Sequence, residues 1–151
     1  MTQPTHAADP IEAAEGHFSG THNCAQAVFA AFSPLYGLDA QTAARLATAF
    51  GGGISRRGEM CGAVSGALMV LGLAHGAATP EAKEKVYALA QEFMRRFNAA
   101  RGGVLCRDLL QVDISTPAGL QKAHESGITR QVCPAAVRQA ALILQSMLAA
   151  E

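Results

Sequence analysis

Four cysteines are the residues best suited to chemistry in this sequence of 151 residues: Cys24, Cys61, Cys106 and Cys133. They lie tens of residues apart, so none belongs to the closely spaced pair that structural zinc sites normally use. Where thiols are kept reduced, four cysteines favour metal binding or redox chemistry over structural disulfides. Four thiolates are also the ligand set of a [2Fe–2S] or [4Fe–4S] cluster.

Each cysteine is predicted to lie at the start of a helix, on its apolar face. Asn23 is a capping residue directly before Cys24, and Pro134 directly after Cys133 suits the first helical position. Apolar residues follow each cysteine at helical spacing: Val28 and Ala31 after Cys24, Leu68 after Cys61, Leu109 after Cys106, Val137 and Ala141 after Cys133. Because helix N-termini stabilise thiolates, we expect the four sulfurs to meet at one buried site.

Arginines gather near the same positions. Arg56 and Arg57 precede Cys61, Arg101 and Arg107 flank Cys106, and Arg130 precedes Cys133. Several thiolates in one buried site need their negative charge to be offset. We therefore expect helix ends and guanidinium groups to supply the compensating positive charge.

Three other interpretations of the cysteines stay open. A buried free cysteine often serves only as a small apolar side chain. Two cysteines of low pKa would instead support thiol–disulfide exchange, with Cys61 as the expected nucleophile. A structural zinc site with four cysteine ligands is the third alternative. We prefer the shared cluster site because all four cysteines are predicted at helix starts.

Weaker candidates lie close to the cysteines. His17 and His22 precede Cys24 and are candidate ligands or proton donors, although we favour their interpretation as ordinary exposed histidines. Glu59 is a candidate acid–base group, but an acidic residue before a helix is expected for electrostatic reasons alone. The glycines at 51–53 are interpreted as a tight turn that lets the backbone approach Cys61, with an anion-binding nest as the alternative.

The rest of the chain predicts an all-α fold. Caps, periodic apolar positions and closing glycines indicate the main helices at about 24–36, 40–50, 59–75, 80–100 and 134–149. Shorter helical segments are expected after residue 9, at about 105–111 and from about 117. We predict one compact helical bundle of about six to seven helices over residues 1–151, with about 1–8 as a flexible tail.

Composition limits the kinds of binding partner and the cellular location that we expect. Half of the residues are apolar, 16% are charged, and the formal net charge is zero, so disorder and nucleic-acid binding are not expected. The longest apolar run, 67–74, is shorter than the roughly 20 residues that span a membrane. No charged segment followed by an apolar run marks a secretory signal, so we expect a cytoplasmic protein.

The central motif resembles a known family. Cys61, Gly62, Ala63 and Gly66 form a Cys-Gly-Ala-x-x-Gly pattern, as in the C_GCAxxG_C_C family of redox-active proteins. The segments around Cys24, Cys106 and Cys133 are similar to that family's other three cysteine segments, and the resemblance extends from about residue 18 to residue 141.

This resemblance implies redox activity without specifying a reaction, so whether the protein is an enzyme stays open. Members of the family tend to be encoded beside transporter or oxidoreductase genes, which implies a redox partner protein or a transporter- or oxidoreductase-associated component. A homodimer is also compatible with the sequence. We therefore expect an iron–sulfur cluster ligated by Cys24, Cys61, Cys106 and Cys133, working in electron transfer or redox sensing.

Overall fold

The computed structural model describes residues 9–150, and these residues form an all-α domain, as the sequence predicts. The expected N-terminal tail lies outside the described residues. The α-helices are α1 (Pro10–Ser19), α2 (Cys24–Phe32), α3 (Ala40–Ala47), α4 (Gly51–Ile54), α5 (Gly62–His75), α6 (Pro80–Arg101), α7 (Cys106–Leu110), α8 (Pro117–Ser126) and α9 (Ile128–Ala149). Two 3-10 turns, Ser33–Tyr36 and Thr48–Phe50, extend α2 and α3.

Side-chain caps fix the starts of most of the longer helices. The side chains of Asp9, Asn23, Asp39, Thr79 and Thr116 each accept a hydrogen bond from a backbone N–H in the first turn of the helix that follows. Such a cap stabilises a helix by about 1 kcal/mol, because it satisfies an amide that has no partner within the helix.

The core lies where α2, α5, α6 and α9 meet. Its largest fully buried side chains are Phe32 of α2, Leu71 of α5, Phe93 and Phe97 of α6, and Leu144 of α9. Burying one such side chain stabilises the fold by about 1.5–3 kcal/mol. Gly66 allows α5 to approach α2 closely, because a β-carbon there would lie 2.7 Å from the carbonyl oxygen of Ala25.

Helix α5 starts later than the sequence predicts. It begins at Gly62 with Cys61 as its N-cap, whereas a start near Glu59 is expected from the sequence. The reason is that Met60 forms an isolated antiparallel bridge with Leu105, which keeps the chain extended up to Cys61.

Helix α9 starts earlier than predicted. It begins at Ile128, directly after Gly127 ends α8, so Pro134 lies inside the helix rather than at its first position. Pro134 has no N–H for the carbonyl of Arg130, yet the helix continues through it. Cys133 therefore lies in the second turn of α9, and the prediction that it caps a helix is wrong.

Helix α9 is long and apolar enough to cross a membrane, with a mean hydropathy of 1.3 over its best window. The buried core helix of a globular domain passes the same test, so this is weak evidence for a span. Val137, Ala140, Ala141 and Leu144 of α9 are fully buried in the core. This helix contains no long uninterrupted apolar run, because Arg130 and Arg138 divide it.

Candidate functional site

The four cysteines line one partly enclosed cavity of about 120 Å³. They come from four separate helices or their caps: Cys24 of α2, Cys61 before α5, Cys106 of α7 and Cys133 of α9. The rest of the wall is mostly apolar or glycine, and includes Gly52, Gly53, Gly62, Leu109, Leu110, Ile114, Val132 and Ala136. The structure thus brings together the residues that the sequence singles out.

Cys24 is positioned by a network around Asn23. The side chain of Asn23 accepts a hydrogen bond from the Gln26 N–H at 2.9 Å, and the Gln26 side chain accepts one from the Asn23 N–H at 2.9 Å. The Asn23 amide group also donates to the Thr48 carbonyl at 3.0 Å. This reciprocal cap joins the start of α2 to the end of α3 and so fixes the first residue of α2.

Cys61 and Cys106 are held beside one another by backbone hydrogen bonds. The Cys61 N–H donates to the carbonyl of Val104 at 2.8 Å, and the Cys106 N–H donates to the carbonyl of Glu59 at 2.6 Å. These bonds lie on either side of the bridge between Met60 and Leu105. Two cysteines 45 positions apart therefore share one short piece of antiparallel structure.

The short segment α4 is a left-handed turn rather than a regular right-handed helix, and it lines the cavity beside these cysteines. Five consecutive residues have positive φ angles near 60°: Gly52, Gly53, Ile54, Ser55 and Arg56. A β-branched residue such as Ile54 is strained there, by roughly 1–3 kcal/mol. Backbone bonds hold the turn, including one from the Glu59 N–H to the Gly53 carbonyl at 2.8 Å.

The turn lies beside two further cysteines. The backbone amide of Gly52 lowers the pKa of Cys24, and Gly53 packs against Cys106. Gly52 and Gly53 also line the same cavity as Cys61, the cysteine that the sequence predicts the turn to approach. A Cβ at residue 53 would lie 2.6 Å from the Cβ of Cys106, so the cavity wall has no room for a side chain at this position.

Cys24 is the thiol whose environment favours ionisation. A hydrogen bond from the Cys133 thiol lowers the pKa of Cys24, and the backbone amides of Cys24 and Gly52 act in the same direction against the effect of burial. The same pairing with Cys24, together with burial, raises the pKa of Cys133.

The other two cysteines are held in the protonated form. Burial raises the pKa of Cys61 to about 12 and that of Cys106 to about 11, and the negative charge of Cys24 adds to both shifts. Cys61 therefore lacks the low pKa that its predicted role as nucleophile requires. Sequence spacing gives no sign of this, because Cys61 has the helix-cap position that normally lowers the pKa of a thiol.

The nearby charged candidates lie away from the cavity. The Glu59 side chain pairs with Arg57 at 3.6 Å, and both side chains are largely exposed. His17 and His22 stack with ring centroids 4.6 Å apart and line a different cavity, together with Arg45 and Thr48.

The five arginines expected to offset the thiolate charge are absent from the cavity lining. Arg56, Arg57, Arg107 and Arg130 are exposed, and Arg101 is half-buried. The main influences on the cysteine pKa values are burial, backbone amides and the other cysteines.

The four sulfurs line a cavity and do not converge on one position where a single metal ion could bind. Within residues 9–150, no three His, Cys, Asp or Glu side chains are grouped closely enough to hold one metal ion. A tetrahedral zinc site needs four sulfurs, each about 2.3 Å from one ion. The donor set of four cysteines around a cavity is chemically suited to a group with more than one metal atom.

Comparison with protein families gives one match. The family model described as "Putative redox-active protein (C_GCAxxG_C_C)" matches residues 22–147, which include all four cysteines and nearly the whole described domain. No curated protein and no solved structure matches the chain at a significant level.

Proposed function

Since the chain belongs to the C_GCAxxG_C_C family of redox-active proteins, we propose that its redox centre is an iron–sulfur cluster ligated by Cys24, Cys61, Cys106 and Cys133. When bound, such a cluster would supply one-electron transfer. The protein then works in electron transfer or redox sensing, and exchanges electrons with a partner protein.

One observation carries this proposal: the four cysteines bound a cavity of about 120 Å³. The cavity is partly open to solvent, and its wall is apolar apart from the four thiols and Thr129. If the cysteines served only as small apolar residues, nothing would require all four to reach this one space from separate helices. Three glycines in the wall, Gly52, Gly53 and Gly62, bring backbone rather than side chains to the space.

The electrostatics of the cavity set a condition on metal binding. Burial holds Cys61 and Cys106 protonated, with pKa values of about 12 and 11. Coordination to metal deprotonates a thiol, so metal would provide the positive charge that the exposed arginines do not. Loading should therefore release protons and depend on pH.

The direct test is anaerobic purification of the full chain followed by iron and acid-labile sulfide analysis and visible absorption. We expect brown protein that contains both elements, and loss or change of the cluster in each of four single Cys→Ser variants. Thr129→Ser is the matched control, since Thr129 lines the same cavity but provides no thiolate. A colourless protein without iron after reconstitution, or four Cys→Ser variants that all keep the wild-type cluster, would contradict the proposal.

Thiol–disulfide exchange is the second candidate, and the pairing of Cys24 with Cys133 favours it. The Cys133 thiol donates to Cys24 and lowers the pKa of Cys24, as in a reactive dithiol. This function predicts metal-free protein in which Cys24 and Cys133 pair reversibly, with a mass loss of two hydrogens. Protein that contains zinc and no iron would instead support the structural zinc alternative.

A further inference from the structure

A groove of about 530 Å³ lies on the outer side of Cys133, between α1 and α9. Its wall is mainly apolar and includes Phe18, Pro134, Ala135 and Val137. A concave apolar site of this size with a few polar groups is typical of small-molecule binding. The redox centre proposed above does not use this groove.

The groove and the cysteine cavity share a wall. Thr129 and Cys133 line both spaces, and they lie one turn apart on α9. Cys133 and Cys24 are half-buried, whereas Cys61 and Cys106 are buried, and of these four only Cys133 lines the groove. A molecule in the groove would therefore meet the sulfur of Cys133 before any other sulfur of the cavity.

Charge at the groove favours an anion. Arg130 and Arg138 supply two positive charges, and Glu15 supplies one negative charge. Glu15 pairs with Arg138 across the groove. Arg130 is exposed, and within residues 9–150 it has no acidic partner. A guanidinium group of this kind suits a carboxylate, which it can bind through two parallel hydrogen bonds.

We propose that this groove binds a small organic disulfide or thiol that has an apolar body and a carboxylate, and that it presents the sulfur of this ligand to Cys133. The carboxylate pairs with Arg130 while the apolar body covers Phe18 and Pro134. This inference rests on the redox role of the cysteine cavity, and the exchange belongs to protein without a cluster, because Cys133 cannot ligate iron and form a mixed disulfide at the same time.

If the ligand is a disulfide, we expect one thiol–disulfide exchange step in metal-free protein. Cys133 passes its proton to the thiolate of Cys24, with which it pairs, and its sulfur forms a bond to one sulfur of the ligand. The ligand's sulfur–sulfur bond breaks, and its other half leaves as a thiolate. One disulfide bond is thereby exchanged for another: the departing sulfur is reduced to a thiolate as the sulfur of Cys133 is oxidised to the level of a mixed disulfide.

Two aromatic disulfides test the charge preference. Dithiobis(nitrobenzoate) has a carboxylate on each ring, and dithiodipyridine is a neutral analogue at neutral pH. Reduced, metal-free full-length protein is mixed with each reagent, and the rate of the phase that disappears in Cys133→Ser is recorded. Both reagents react with the same thiolate, so a change in the ionised fraction of Cys133 alters both rates by the same factor. The ratio of the two rates therefore reports how well the protein recognises the charge of the reagent.

We expect the rate with the anionic reagent to saturate with concentration in wild-type protein. Arg130→Gln should lower the anionic-to-neutral ratio by about threefold, as for an exposed ion pair, and added salt should lower the wild-type ratio similarly. Arg45→Gln is the matched control, since Arg45 is an exposed arginine that lines a different cavity.

An unchanged ratio in Arg130→Gln, or an equal fall in Arg45→Gln, would overturn the groove proposal. Loss of the charge preference with normal binding of iron and sulfide would refute only the groove. A retained preference in protein that never binds iron would refute only the cluster.

Discussion

Gly53 packs against Cys106 so closely that a β-carbon at residue 53 would lie 2.6 Å from the Cβ of Cys106 and 2.7 Å from the backbone nitrogen of Glu59. The φ angle of Gly53 is also positive, at 64°. Close packing and the left-handed conformation therefore both require glycine at this position of the cavity wall.

Replacement of Gly53 by alanine should destabilise the protein and displace Cys106. We expect a loss of at least about 2 kcal/mol in the free energy of unfolding, from backbone strain and from contact with Glu59. Denaturant unfolding measures this loss. Gly72→Ala is the control, because Gly72 lies in α5 with open space around it and should gain up to about 1 kcal/mol. Equal stability of Gly53→Ala and wild type would show that the turn is not packed as described.

The cap at Asn23 should contribute to stability beyond the usual value for a helix cap. Its side chain accepts from the Gln26 N–H and donates to the Thr48 carbonyl, so it connects α2 to α3. We expect Asn23→Ala to cost about 1–2 kcal/mol in thermal or denaturant unfolding. Asn98→Ala provides the comparison, since Asn98 is exposed on α6 and should change stability little. A similar small effect at both positions would argue against the connecting role.

The stability of metal-free protein should fall as the pH rises above about 9. The pKa of Cys61 is about 12 in the folded protein because of burial, compared with an ordinary value near 9. Between these values the unfolded chain loses a proton that the folded protein retains, so the contribution of Cys61 is lost as pH increases. Each pH unit in this window should cost about 1.4 kcal/mol.

Comparison with Cys61→Ala isolates this contribution from other groups that titrate at high pH. The difference in unfolding free energy between wild type and Cys61→Ala should decrease by about 1.4 kcal/mol per pH unit above about 9. A difference that stays constant with pH would mean that Cys61 is not buried as a neutral thiol.

The side chains of His17, His22 and Glu59 should not take part in cofactor binding. The histidines line another cavity, and Glu59 contributes its backbone carbonyl to Cys106 while its carboxylate pairs with Arg57. We therefore expect His17→Gln, His22→Gln and Glu59→Gln to retain the wild-type content of iron and sulfide. Loss of iron from any one of them would identify that side chain as a missing part of the site.

The sequence was sufficient to predict the helical fold and the meeting of the four cysteines at one cavity. The helical periodicity of the apolar residues that follow Cys24 and Cys133 indicates which face of each helix is buried. Because the buried faces of a small helical bundle contact the same core, cysteines on those faces are expected to lie close together. The structure adds that the sulfurs surround a cavity instead of grouping tightly enough for one ion.

Other features of the site depend on contacts that are distant in the chain. The extended segment before Cys61 exists because Met60 pairs with Leu105, and no local pattern reveals that bridge. The left-handed turn places Ile54 in a conformation that its side chain disfavours, so local propensity argues against it. Pro134 is misleading in a different way, because proline is common at the first helical position yet here lies within α9.

The central claim is that one cluster occupies the cavity between the four cysteines. The most direct measurement is a crystal structure of anaerobically loaded protein, with anomalous diffraction collected at the iron absorption edge. We predict iron density inside the cavity, bonded to the sulfurs of Cys24, Cys61, Cys106 and Cys133. Iron found elsewhere on the protein, or a cavity without metal in protein shown by analysis to contain iron, would contradict the account.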